Sequence, residues 1–157
     1  MIELELVGVR VELPQNQPII LLKEQSGDRF LPVLIGAVEA TAIAFALQGV
    51  VTPRPMTHDL IKEMVDTVGV RVERVVVTEL RDATFYAELS LASDDGEWVV
   101  SSRTSDAIAI AVRTGCAIYA DESVMTEAGI QIEDADEDEV EQFKEFLDTV
   151  SPEDFKQ

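Results

Sequence analysis

Two acids stand out as candidates for chemistry. Glu39 is the lone charge in an otherwise apolar segment, "AVEATAIAFALQG". A buried carboxylate is costly unless it is paired or bound to a metal. Asp106 holds the matching place in "SDAIAIAVRTG"; each acid is followed by alanine, and each segment closes on glycine. If the two segments meet, their carboxylates could share one divalent cation, Mg²⁺ or Mn²⁺, because hard oxygen ligands suit these ions. The plainer reading makes both of them solvated acids in first helical turns, each worth about 0.3–1 kcal/mol against the helix dipole. His58, the one histidine, sits beside Asp59. An imidazole can gain or lose a proton near neutrality and so serve as a general acid or base. Its plainer role is a solvated residue at a helix start. Arg54, Arg81 and Arg103 fall in or next to predicted loops, where a guanidinium fork suits phosphate oxygens. With 31 acids in the chain, ordinary ion pairs compete for that role.

Other chemistry finds less support. There is no Walker loop, no G-x-G-x-x-G, no H-E-x-x-H, no cysteine-based zinc pattern and no nucleophile elbow. Cys116, the single cysteine, enters a short apolar run and reads as a buried inert thiol; no intramolecular disulfide can form. Phe85, Tyr86 and Trp98 fall in strand patterns, where core or cross-strand packing is expected.

Charge bounds the partners. The chain of 157 residues carries a formal charge of −19. Residues 131–157 hold 11 acids and 2 bases, and the other 130 residues hold 20 acids and 10 bases, so the body is acidic in its own right. That balance opposes non-specific nucleic-acid binding and anionic membrane surfaces. The N-terminal residues lack a basic and apolar leader pattern, and no apolar run approaches the ~20 residues of a membrane span, so the cytoplasm is the expected compartment.

Period-2 alternation over residues 2–13, then "IILLKEQ" and "RFLPVLIG", reads as an antiparallel meander of three strands broken at Pro14–Pro18 and Ser26–Asp28. The Glu39 segment reads as a helix buried on most sides. Thr57 is the expected N-cap of "HDLIKEMVDTVG", whose Leu60, Ile61, Met64, Val65 and Val68 form one apolar stripe. Three more strands follow over residues 70–80, 84–92 and 97–103, turning at Arg81-Asp82-Ala83 and Asp94-Asp95-Gly96. A helix with Ser105 as N-cap, the short strand "CAIYAD" and the small helix "ESVMTEAG" complete the body. The fold class is therefore α+β, with antiparallel or mixed β meanders and Ala-rich buried helices. The two halves share a βββα order, which reads either as internal duplication or as matched composition. A domain over residues 1–130 gives way to an acidic, partly helical tail over 131–157, where Val140, Phe143, Phe146, Leu147 and Val150 recur at helical spacing.

Ile35-Gly36-x-x-Glu39-Ala40, Arg54-Pro55-x-Thr57-His58-Asp59 and Arg103-x-Ser105-Asp106-Ala107-Ile108-Ala109 occur in that order. Together with "RVVVTELRDATFYAEL" they make residues 2–130 resemble the bifunctional nuclease domain family. The closing "EFLDTVSPEDF" is similar to the tail of bacterial members. The resemblance implies phosphodiester hydrolysis of DNA, RNA or both by a homodimer or higher homo-oligomer. It supplies no settled catalytic set; the matching polar positions are Glu39, Arg54, His58, Asp59, Asp82, Arg103, Ser105 and Asp106. On that basis Glu39 and Asp106, with Asp59, would hold Mg²⁺ or Mn²⁺, His58 would move a proton, and Arg54 or Arg103 would clamp the phosphate. The charge of −19 argues against capture of a polyanion. The alternative from another class is a non-catalytic oligomeric scaffold or regulatory module.

Overall fold

A computed structural model describes residues 1–12 and 17–131. The acidic tail, with its apolar stripe, lies outside the described residues. The strands are β1 (Ile2–Glu12), β2 (Gln17–Glu24), β3 (Arg29–Leu34), β4 (Arg71–Arg81), β5 (Thr84–Ser93), β6 (Gly96–Arg103), β7 (Ala117–Ala120) and β8 (Ile130–Gln131). The helices are α1 (Ala37–Leu47), α2 (Thr57–Thr67), α3 (Thr104–Thr114) and α4 (Glu122–Ala128). All eight strands join one sheet in the order β6-β5-β4-β7-β1-β2-β3-β8. The architecture is α+β with a mixed sheet.

The sheet consists of two antiparallel meanders, β1-β2-β3 and β4-β5-β6, joined through β7. β7 pairs antiparallel with β1 and parallel with β4. Parallel neighbours need a crossover, and α3 supplies it on the way from β6 to β7. The strand-strand-strand-helix order occurs twice, after which the halves diverge: α2 follows α1, whereas β7 follows α3. Pro18, placed by the sequence in a turn, lies in β2 opposite Val11. The two-residue strand β8, which pairs with the end of β3, is too short to leave a periodic signal.

Burial explains the patterns. Ile19, Ile20, Leu21 and Leu22 are all buried, so β2 is covered on both faces and reads as a continuous apolar run. Ala40, Ala42, Ile43 and Ala44 bury α1, and α3 buries Ala107 to Ala111 as an unbroken run. Small side chains let these two helices approach closely. α3 ends at Gly115, whose φ of 74° is the left-handed conformation that terminates helices. Two expected caps fall elsewhere. The N-cap of α2 is Met56 and that of α3 is Arg103, one and two residues ahead of Thr57 and Ser105. In α2 it is Asp59 that caps, its Oδ2 accepting from the Met56 backbone N–H at 3.0 Å. The stripe of α2 also divides: Ile61 packs on the core, while Leu60, Met64 and Val68 are exposed.

Candidate active site

Three helix starts carry the site. Glu39 lies in the first turn of α1, His58 in the first turn of α2 and Asp106 in the first turn of α3, with Arg103 as the N-cap of α3. Gly36, the N-cap of α1, leaves room for Glu39 to fold back over the helix start; a Cβ there would collide with Glu39 Oε2. Packing of α1 and α2 against α3 brings the three starts together.

The side chains form one continuous chain of polar contacts. His58 Nε2 lies 2.9 Å from Asp106 Oδ1. Arg103 Nε donates to Asp106 Oδ2 at 2.8 Å, and Arg103 Nη2 lies 2.8 Å from Glu39 Oε1. His58 is buried, Glu39 and Asp106 are half-buried, and Arg103 is 67% exposed at its side chain. Burial acts to raise the Asp106 carboxyl, but the Arg103 and His58 bonds and charges outweigh it and hold the group below its ordinary range. An ionised carboxylate can only accept, so His58 Nε2 carries the shared hydrogen and donates it to Asp106 Oδ1.

Glu39 and Asp106 therefore do converge, and a guanidinium stands between them where a shared cation was expected. Among the described residues no three His, Cys, Asp or Glu side chains stand together as a metal-ligand set. A Mg²⁺ or Mn²⁺ ion does not fit this arrangement unless Arg103 withdraws.

The other candidates have different settings. Asp59 belongs to a neighbouring network: its Oδ1 accepts from Arg113 Nε at 2.6 Å. Burial raises the Asp59 carboxyl, but Arg113 and the Met56 N–H more than compensate and leave it low. Arg113 also donates to Ala109 O at 2.8 Å and Ala42 O at 3.0 Å, so one buried guanidinium ties α1, α2 and α3. Sequence reasoning passed over Arg113; its signal was a charge inside the apolar run of α3. Ser105 is buried in the first turn of α3. Arg54 is exposed in the loop before α2, with no acidic partner among the described residues. Asp82 sits at φ 52° in the hairpin between β4 and β5, outside the cluster. Arg81 of that hairpin lies 4.6 Å over the Tyr86 ring and pairs with Glu79.

A groove of about 540 Å³ opens beside the cluster, its walls including Pro32, Ile35, Gly36, Phe85, Arg103 and Thr104. The Thr104 hydroxyl is buried without a hydrogen-bond partner among the described residues.

Residues 20–133, which contain the whole cluster, match the sequence model of a family described as "Bifunctional nuclease domain". The chain belongs to the bifunctional nuclease domain family. An uncharacterized protein of Mycobacterium tuberculosis (strain ATCC 25618 / H37Rv) is 50% identical, with 98% of each chain covered. Bifunctional nuclease 2 of Oryza sativa subsp. japonica is 31% identical over 76% of this chain and 38% of its own. Bifunctional nuclease 2 of Arabidopsis thaliana is 30% identical over 78% and 39%. The matched stretch thus spans well under half the length of those plant family members. No helix among the described residues is long and apolar enough to cross a membrane.

Proposed function

We propose that this chain is a nuclease that hydrolyses phosphodiester bonds of DNA or RNA at the Glu39–Arg103–Asp106–His58 cluster. One observation carries the reading. Four polar side chains from three separate helix starts meet in an unbroken chain of contacts at the edge of an open groove. Its parts match the needs of hydrolysis. Asp106 orients the His58 ring, leaving Nδ1 as the atom that takes a proton from water or returns one to the leaving oxygen. Arg103, exposed and already oriented by two carboxylates, offers its remaining N–H groups to a phosphate oxygen and offsets charge there. The names and family of the plant relatives support the same substrate class.

The test is cleavage of a labelled oligonucleotide by the full chain, followed across the peak of a final sizing column. Activity should co-elute with the protein. His58→Ala should lower the rate about 10²–10⁴-fold, the usual contribution of a positioned acid–base group. His58→Ala and Glu39→Gln both cleaving at the wild-type rate would refute the assignment. A chelator arm settles the Mg²⁺ or Mn²⁺ requirement. Lost cleavage, restored by either ion, means that Glu39 and Asp106 exchange Arg103 for the metal; intact cleavage leaves the cationic role with Arg103.

A further inference from the structure

The groove beside the polar cluster differs in chemistry from the rest of the chain. Its walls come from β3, the start of α1, the β4–β5 hairpin and the start of α3. β4, β7, β1 and β2 lie between β5 and β3 in the sheet order, so the sheet curls to bring those two strands to one groove. The chain carries 31 acids, yet none of them lines the groove, where Arg103 is the one charged residue among the described ones. Pro32, Ile35, Leu80 and Phe85 give it apolar walls. Phe85 is half-buried, packed on the core and also facing the groove. The volume of about 540 Å³ falls within the range of about 300–1,000 Å³ for small-ligand sites. A single nucleoside is of that scale; a duplex is not.

Charge decides which form of nucleic acid can use such a groove. A duplex keeps its base faces stacked and is held chiefly through its phosphates, which calls for many Lys and Arg contacts. A chain of −19 with one arginine at the groove does not supply them. An unpaired base has a free face, and its stacking on an aromatic side chain needs no cation. Arg103 keeps Nη1 open beside the groove, so a phosphate held there places the attached nucleoside at the groove mouth. Thr104 comes next in the chain and lines the same groove, and its buried hydroxyl has no partner among the described residues. An unpaired buried hydroxyl costs stability, as a group kept for a ligand would. Threonine uses two rotamers in helices, and a turn about χ1 exchanges the Thr104 hydroxyl with its methyl at the groove wall.

We propose that this groove is a nucleobase subsite that selects single strands: an unpaired base seats against Phe85 and hydrogen-bonds Thr104 while its phosphate reaches Arg103. The ligand class rests on the nuclease reading above; the groove adds the strand form and the residues that select it.

The test reads binding without turnover. Fluorescence anisotropy follows a short labelled DNA strand, alone and annealed to its complement, on the full chain carrying His58→Ala to suppress cleavage. The single strand should bind at least about tenfold more tightly than the duplex. Phe85→Leu keeps an apolar side chain on the core and removes the aromatic face. It should weaken single-strand binding about tenfold, the scale of one stacked base, and leave duplex binding unchanged. Thr104→Val should weaken single-strand binding about threefold or more while raising the thermal midpoint, opposite signs that a purely structural residue would not give. Three results would each overturn the proposal: duplex binding as tight as single-strand binding; wild-type affinity in either Phe85→Leu or Thr104→Val; or no single-strand binding at ~1 mM, the weak end of specific affinities. Phe85-dependent binding by a chain that never cleaves would refute the nuclease reading alone. Cleavage with binding indifferent to Phe85 would refute the subsite alone.

Discussion

Arg113→Met is expected to destabilise the domain by much more than Asp59→Asn, although the two residues form one ion pair. Arg113 is 7% exposed at its side chain, while Asp59 is 38% exposed. The guanidinium makes three bonds: to Asp59 Oδ1 at 2.6 Å, Ala109 O at 2.8 Å and Ala42 O at 3.0 Å. The two carbonyls lie inside helices and keep backbone partners, so each lost bond costs about 1 kcal/mol, below the 1.5–3 typical of charged donors. The Asp59 bond adds about 1 kcal/mol, discounted because water reaches that carboxylate. Methionine replaces most of the apolar stem, so the sum for Arg113→Met is about 2–4 kcal/mol. Asp59→Asn keeps a capping oxygen near the Met56 N–H and leaves the Arg113–carbonyl bonds intact; its cost is about 1 kcal/mol. Urea unfolding followed by far-UV circular dichroism measures both. Equal costs, or less than 1 kcal/mol for Arg113→Met, would show that the three helices are not held by this guanidinium.

Acid should unfold the protein in a defined window. The Asp59 and Asp106 carboxyls lie below their ordinary 3.8 and that of Glu24 below 4.5, where the Arg29 bond is the main cause for Glu24. Their stabilisation is complete above those ordinary values and disappears as pH falls through the lower folded ones, which a urea midpoint series from pH 6 to about 2 records. Thr104→Val replaces an unpartnered buried hydroxyl with a methyl, so thermal unfolding should show a gain of about 1 kcal/mol. Ala83→Gly at φ 63° should add about 0.5–1 kcal/mol, since alanine is strained in that left-handed turn position; a loss would contradict the turn geometry. Oligonucleotide cleavage should rise as salt increases from 10 to 150 mM, because screening weakens repulsion by the −19 charge; a steep fall would indicate a basic binding surface.

Strand periodicity and glycine stops were enough to place every long element, because alternation and left-handed termini are local properties. The matched places of Glu39 and Asp106 at the starts of two alanine-rich helices were legible, but that those starts meet stayed conditional, because helix packing is not a local property. Arg103 as the bridge between them was not legible, because sequence spacing relates Arg103 to Asp106 but says nothing about α1. The caps went to Met56 and Arg103 rather than Thr57 and Ser105 because helix starts depend on where the chain leaves the preceding strand or loop, not on hydroxyl preference alone. In α2 the stripe showed amphipathicity but not its occupant, and the structure gives the buried place in that helix to His58. Trp98 lies opposite Leu91 of β5 yet is 47% exposed, because β6 is at the sheet edge, a position set by strand order that no local pattern encodes.

Arg103 ends the edge strand β6, starts α3 and separates two carboxylates, so one residue couples the border of the sheet to the polar cluster. Its side chain is mostly open to solvent, yet two bonds orient it, leaving Nη1 without a partner among the described residues. A cation held this way can exchange one acidic partner for another at little cost, because each exposed pair is individually weak. A phosphate oxygen and the two resident acids would therefore compete for the same guanidinium. A ligand that draws Arg103 away from Asp106 would loosen that carboxylate, and through it the orientation of the His58 ring.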